Sequence, residues 1–203
     1  MGNHNSRDIY INLIHYPLST LGPGNRVGIW FQGCNIRCSG CMSEFTWEQS
    51  AVHKTTTSVV MAALSKYQGS GITISGGEPF FQPDALYELL LLIRERGFND
   101  ILLYSGYRHE ELALKYGYIL PLVDVLIDGE FTAGMETQQW WKGSENQRAI
   151  VLSKQQSLVA VYEKYLSQRG NMRPLQVIKL KDRIFIAGIP RQQDMEAILN
   201  GIG

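Results

Sequence analysis

Three cysteines, Cys34, Cys38 and Cys41, fall within eight consecutive positions, and the chain has no others. An odd number packed this closely cannot build a disulfide framework. Thiols clustered in this way point to metal, and to the cytosol, where they stay reduced. Thiolates are the usual protein ligands of iron–sulfur clusters, normally one per iron. Three from one C-x3-C-x2-C loop would hold three irons of a 4Fe–4S cube and leave the fourth open to a substrate or cofactor. Structural zinc asks instead for four closed ligands; His53 can supply a fourth, although Cys3His sites rarely use this spacing. Plain buried thiols are the blandest alternative. Taken alone, the loop leaves all three open.

The elements around the loop set the fold class. Ile9–Ile14 reads as a short strand, Leu21–Asn25 as a turn, and Val27–Phe31 as a β-prone run leading into Gly33 and the cysteines. Thr55–Thr57 can cap a helix with Val60, Ala63, Leu64 and Tyr67 on one face. Ile72–Ile74 is a strand ending in Ser75-Gly76-Gly77-Glu78-Pro79. Pro83 then opens a helix with the stripe Leu86, Leu89, Leu90 and Ile93, which Gly97 stops. A strand at Ile101–Tyr104, a helix at His109–Tyr116 and strands at Val123–Ile127 and Ala149–Leu152 follow. The next helix carries Leu158, Val161, Tyr162 and Tyr165. Such alternation predicts a parallel sheet covered by helices. About five units are too few for a complete eight-stranded barrel, so a partial, open parallel β/α barrel is expected. The tail reads differently, as a hairpin of Leu175–Leu180 and Arg183–Gly188 about Lys181-Asp182, then a helix at 191–200. One domain spanning 1–203 is expected, with a core at about 9–168 and an extension at about 169–203.

The whole chain excludes some classes. Its 203 residues are 44% hydrophobic and 19% charged with zero formal net charge, which suits one globular domain. No Lys/Arg block supports nucleic-acid binding. The longest apolar run, Leu89–Ile93, is far short of a membrane span. The first residues lack a signal-peptide core, and a cytoplasmic protein is expected. Met1–Ser6 fits the N-myristoylation pattern, a match read as chance in a polar start. His4, His15, His53 and His109 read as solvated or satisfied histidines.

A second motif gives the cysteine loop a counterpart. Gly76 and Gly77 sit at a strand end, where a backbone without Cβ atoms can approach a ligand and present N–H groups. Glu78 adds a carboxylate suited to an ammonium group, and Pro79 fixes the turn. By itself a Gly-Gly-x-Pro turn is ordinary; its weight comes from placement. The cysteine loop, this turn, Ser105-Gly106-Tyr107 and Asp128-Gly129 all follow strands. In a parallel α/β sheet these strand ends share one edge, where such folds put their sites.

Phe31-x-Gly33-Cys34-x3-Cys38-x2-Cys41 and Ser75–Pro79 together resemble the radical S-adenosylmethionine superfamily. Within it the chain is similar to the small activases of glycyl radical enzymes. The similarity is carried by Gly22-Pro23-Gly24-x-Arg26, Gly40 before Cys41, Thr46-Trp47, Tyr104–Tyr107, Asp124–Gly129 with Phe131, and Gly143-Ser144-x-Asn146-Gln147-Arg148, in the family's order. The resemblance implies a radical S-adenosylmethionine fold and a 4Fe–4S cluster on Cys34, Cys38 and Cys41. It further implies reductive cleavage of S-adenosylmethionine to methionine and a 5′-deoxyadenosyl radical, which takes a hydrogen from a partner's glycine. The implied partners are a glycyl radical enzyme of the anaerobic ribonucleotide reductase kind and an electron donor of flavodoxin or ferredoxin type. Such radical work belongs to the cofactors, so no catalytic side chain is nominated. Gly76, Gly77 and Glu78 are the cofactor-binding candidates, with Ser105 beside them. Asp128 corresponds to a strand-end carboxylate that the pyruvate formate-lyase activase places near the methionine carboxylate; an Asx-turn before Gly129 is its alternative. Trp47 is read as packing near the cluster or filling the core. Asn146, Gln147 and Arg148 precede a strand, a position that can face away from the cofactor, and they stand as candidate partner or cofactor contacts.

The family's reductase activases end soon after the segment matching Ile150–Ser153, whereas this chain continues for about fifty residues. The extension puts the radical's target in question. Two other readings therefore stand beside the activase: a radical enzyme acting directly on a small molecule or peptide, and a non-enzymatic metal-binding module.

Overall fold

Four parallel strands form the centre of the computed structural model, which describes residues 6–67, 69–181, 183–191 and 194. They are β2 (Arg26–Phe31), β4 (Gly71–Gly76), β5 (Ile101–Tyr104) and β6 (Val125–Asp128), paired in that order. On one side β1 (Asp8–Leu18) runs antiparallel to β2 and carries β3 (Lys54–Thr56) on its outer edge. On the other, β7 (Arg148–Val151) runs antiparallel to β6. The result is a seven-stranded mixed sheet, β3-β1-β2-β4-β5-β6-β7. The expectation of a uniformly parallel sheet is thus corrected at both flanks. No helix lies between β6 and β7 to carry the chain back across the sheet, so the connection returns antiparallel.

Both faces of the sheet are covered, and the strands divide their side chains between them with period two. Ile101, Leu103 and Leu126 face the main core, made with α1 (Thr57–Leu64), α2 (Pro83–Glu95) and α3 (His109–Tyr116). Leu102, Val125 and Ile127 face Tyr162 and Tyr165 of α4 (Gln156–Leu166) and Trp141. On α2 the predicted stripe is fully buried: Leu86, Leu89, Leu90 and Ile93 have no exposed surface. At roughly 1.5–3 kcal/mol per side chain this stripe outweighs the helix's own propensity. Pro83 opens α2, and Gly97, with φ of +81°, closes it. On α4 the expected face is narrower, since Val161 is exposed.

At the opposite edge from the strand C-termini, Arg26 clamps three strands. It is wholly buried; Nε donates to Thr73 Oγ1 at 2.8 Å and Nη2 to Ile72 O at 2.7 Å. Its guanidinium pairs with both Asp100 oxygens, and the Tyr162 hydroxyl donates to Asp100 Oδ1 at 2.6 Å. Gly22 has φ of +115°, and a Cβ there would meet the Arg26 side chain at 2.5 Å. The Gly-Pro-Gly-x-Arg run is therefore structural.

The tail forms the expected hairpin from β8 (Leu175–Lys179) and β9 (Ile184–Gly188), a two-stranded sheet of its own. Ile178, Phe185 and Ala187 pack against Leu18, Leu21 and Trp30 on the α4 side of β1 and β2. The helix expected at 191–200, the Asp182 part of the hairpin turn and Met1–Asn5 lie outside the described residues. No described helix is long and apolar enough to cross a membrane.

Candidate metal and cofactor site

The cysteine loop is an excursion from β2 whose two ends are tied together. Gly33 N donates to Thr46 O at 2.7 Å and Cys34 N to Trp47 O at 2.9 Å, so residues 45–48 return alongside the strand end. Gln32 braces the return, donating to Phe45 O at 3.1 Å and Glu48 O at 2.6 Å. Gly33 and Gly40 both have positive φ, +108° and +73°, and Arg37 adopts φ of +54°. All three cysteines are free and half-buried.

The loop suits a cluster better than a single ion. Among the described residues no three His, Cys, Asp or Glu side chains are grouped to hold one metal ion. Neither His53 with the thiols nor the three thiols by themselves are gathered about one point. A cube takes one thiolate per iron and so asks for separated sulfurs. Burial, with the neighbouring thiols adding to it, pushes Cys38 up to about 11, and burial likewise raises Cys41. These thiols keep their protons until a metal displaces them. The sulfur of Cys41 accepts from Ser43 N at 3.4 Å. Trp47 Nε1 is buried without a hydrogen-bond partner, yet lies near enough to Cys41 to lower its pKa. Such an unspent donor beside a ligand thiol fits a bound cluster, whose sulfurs accept hydrogen bonds.

The Gly-Gly-Glu-Pro turn is zipped onto this loop. Gly77 N donates to Phe31 O and Glu78 N to Gly33 O, each at 2.9 Å. A Cβ on Gly77 would stand 2.2 Å from Gly33 O, and one on Gly76 2.5 Å from Phe31 N and O. The close approach expected toward a ligand is therefore made to the chain's own backbone, and the N–H groups of Gly77 and Glu78 are already used. Glu78 is only 2% exposed. Its Oε1 accepts from Phe80 N at 2.9 Å and from Ser105 Oγ at 3.0 Å, and its Oε2 from Gly106 N at 2.8 Å. Burial pushes its carboxyl up to about 7, against the lowering effect of those three donors. Glu78 thus ties the end of β4 to the end of β5 and keeps one lone-pair direction for another donor.

A cavity of about 740 Å³ lies over the strand ends. Cys34, Cys38, Cys41, Gly76–Glu78 and Ser105 all line it, so the two motifs do meet. Asp128 is the exception among the candidates. It is fully buried and is not a lining residue. His109 N donates to its Oδ2 at 2.7 Å, and Arg148 grips both its oxygens while also pairing with Glu110 at 2.8 Å. Arg108 stands 3.7 Å away. Asp128 is committed to the start of α3 and to β7. Arg148 in turn holds the exposed Glu110 carboxyl down to about 2.

Two further groups of residues join the two motifs at the cavity. Because β7 is antiparallel, residues 143–148 arrive at the same edge as the cysteines rather than facing away. Gln147 lines the cavity; its side chain donates to Gly129 O at 2.8 Å and accepts from Gly143 N at 2.7 Å. Asn146 donates to Glu130 O at 2.9 Å, and its Oδ1 is buried without a partner. The second group is the tail: Arg173 and residues 185–191 also line the cavity.

The model of the 4Fe-4S single cluster domain family matches residues 20–150. The anaerobic ribonucleoside-triphosphate reductase-activating protein of Enterobacteria phage T4 is 34% identical over 133 residues, 63% of this chain and 84% of that protein. The protein of the same name from Vibrio cholerae is 34% identical over 148 residues, 66% of this chain and 92% of its own. The pyruvate formate-lyase-activating enzyme of Clostridium pasteurianum is 35% identical over 112 residues, 52% of this chain and 45% of its own. The β8–β9 hairpin lies beyond the residues that the family model matches.

Proposed function

From the fact that this chain belongs to the 4Fe-4S single cluster domain family, among the radical S-adenosylmethionine activases of glycyl radical enzymes, we propose that it installs a glycyl radical on a partner enzyme such as anaerobic ribonucleoside-triphosphate reductase. It is an enzyme whose cofactors are a 4Fe–4S cluster and S-adenosylmethionine. When bound, these supply one-electron cleavage of a sulfur–carbon bond and a 5′-deoxyadenosyl radical able to take hydrogen from carbon. An electron donor of flavodoxin or ferredoxin type completes the scheme, and the sheet on this reading is a partial barrel.

One observation carries the proposal: the three thiols and the Gly-Gly-Glu-Pro turn border one cavity and are hydrogen-bonded into one unit through Gly33. Cys34, Cys38 and Cys41 would hold the cluster, and the Trp47 N–H would face its sulfurs. Glu78 would receive the ammonium group of the methionine part on its remaining lone pair, with Ser105 fixing its carboxylate. Gly76 and Gly77 let that carboxylate stand close to the cysteine loop. Phe185 and Trp30 give the cavity an apolar wall, which would limit water beside a radical.

Anaerobic mixing with the reductase, S-adenosylmethionine and a strong reductant should produce the doublet of a glycyl radical in electron spin resonance. A second reading, a direct enzyme on a small molecule, draws support from the tail wall over the strand-end edge. Absence of the doublet, together with deuterium passing from a small molecule into 5′-deoxyadenosine, would replace the first reading with the second.

A further inference from the structure

The hairpin offers the cavity a strand edge. Side chains of a strand alternate between its faces, so one face bordering the cavity would contribute every second residue. Instead Phe185, Ile186, Ala187 and Gly188 border it in succession. Phe185 and Ala187 are buried against Trp30, Leu18 and Leu21, whereas Ile186 lies on the other face. Residues from both faces reach the cavity because the backbone edge between them does.

That edge carries unused hydrogen-bonding groups. Leu180 N donates to Arg183 O at 2.9 Å next to the turn. In an antiparallel ladder the bonded pairs recur at every second residue, so Ile178–Phe185 and Gln176–Ala187 are the bonded pairs of this register. The N–H and C=O groups of Ile186 and Gly188 therefore point away from β8. Among the described residues β9 pairs with no strand but β8, and its backbone makes no backbone hydrogen bond outside the hairpin.

The edge is also held still. Phe185 packs edge-on to Trp30 at 4.9 Å and to Phe45 at 5.6 Å, which bracket the cysteine loop on either side. Gln176 donates to Pro17 O at 2.6 Å and accepts from Ser19 N at 3.2 Å. The Arg173 guanidinium is fastened to Lys142 O and Ile189 O at 3.0 Å and to Thr137 O at 2.5 Å. A fixed row of alternating donors and acceptors matches one chemistry, an extended peptide backbone, and strand addition to a free edge is a recurring way to bind one. Preorganisation of this kind lowers the entropic cost of binding.

We propose that β9 receives an extended segment of the partner enzyme as an added strand, and that this strand carries the target glycine past the cysteine loop. The inference rests on the activase reading and adds how the partner is recognised. Ile186, Ile189, Phe131 and Met135 also border the cavity, so the segment has small or apolar side chains around its glycine.

The test uses the cluster-loaded protein under anaerobic conditions and a synthetic peptide copying the glycine-bearing segment of the candidate reductase. Hydrogen exchange at the Ile186 and Gly188 amides should slow at least roughly ten-fold when the peptide binds. Methylating alternate peptide nitrogens should weaken binding by roughly ten-fold or more, the worth of one or two hydrogen bonds. Ile186→Pro removes an outward N–H without touching the bonded pairs and should weaken binding about ten-fold, with cluster absorption confirming that the variant is folded. The methylated peptide keeps the test decisive with the unaltered protein if that variant fails. Equal affinity for the methylated peptide and unprotected amides, with the reductase still gaining its radical, would overturn strand addition and leave the activase intact. No peptide binding and no glycyl radical would remove both.

Discussion

Replacing Gly77 with Ala tests the junction on which the site depends. The new Cβ would stand 2.2 Å from Gly33 O and 2.8 Å from Gly33 C. That is roughly 1 Å inside any ordinary contact, and the obstructing atoms are backbone that cannot swing aside. Separation would stretch the Gly77 N–Phe31 O and Glu78 N–Gly33 O bonds, both 2.9 Å. Two such bonds are worth about 2 kcal/mol together, and overpacking adds about 1–3 kcal/mol. The sum, roughly 2–4 kcal/mol after partial relaxation, corresponds to a loss of roughly 5–15 °C in melting temperature for a chain of this size. Because Gly33 precedes Cys34 directly, iron and sulfide content should fall too. Gly24→Ala is the control: φ is +69° and no atom lies within 4 Å of its Cβ position, so only a backbone cost of about 1 kcal/mol is expected. Calorimetry and iron analysis on both variants decide the matter. A Gly77→Ala protein that melts with the parent and holds a full cluster would refute the junction.

Three further outcomes follow from the same geometry. Ala at Cys34, Cys38 or Cys41 should abolish stable 4Fe–4S formation on reconstitution, and a variant that retains four irons would remove that thiol from the ligand set. Burial holds Glu78 up to about 7, so a bound ammonium must draw off its proton; affinity for S-adenosylmethionine should rise with pH by at most ten-fold per unit and level off above about 7. Titration calorimetry should find that slope in the parent and lose it in Glu78→Gln; a slope common to both would take the carboxylate out of ammonium binding. Asp128→Asn weakens the grip of Arg148 and should lower the melting temperature while leaving the S-adenosylmethionine dissociation constant within about two-fold, since Asp128 does not line the cavity; a large loss of affinity would reinstate it as a cofactor residue.

Much of the architecture was legible because it is written locally. The α2 stripe, the capping Pro83 and the closing Gly97 are short-range signals, and they bound the segment between the end of β4 and the start of β5. Once the strands are parallel, the meeting of Cys34–Cys41 with Gly76–Glu78 follows from topology. The role of Gly77 did not follow, since its partner is a carbonyl of another strand's loop. Gly22 and Arg26 stood out only by resemblance. Their reason lies in Asp100, Thr73 and Tyr162, partners that no spacing rule connects. The reversal of β7 did leave a trace: residues 129–147 carry no helical stripe, and a parallel crossover normally needs a helix. Reading that gap as an antiparallel return would have brought Gln147 to the cavity in advance.

The tail marks where local signals stop. Two apolar runs about Lys181-Asp182 foretell a hairpin, but nothing in them says which surface it meets. That is settled by Phe185 between Trp30 and Phe45 and by Gln176 against Pro17 and Ser19, contacts between residues far apart in sequence. Their consequence is chemical as well as architectural. An open strand-end edge would admit a folded loop of any shape, whereas an edge walled by β9 admits a narrow chain. Since the wall presents the main chain of Ile186 and Gly188 at its border, the feature that supports a small-molecule substrate equally suits an extended glycine segment. A small molecule can meet one or two such backbone groups, whereas a peptide strand gains at every rung.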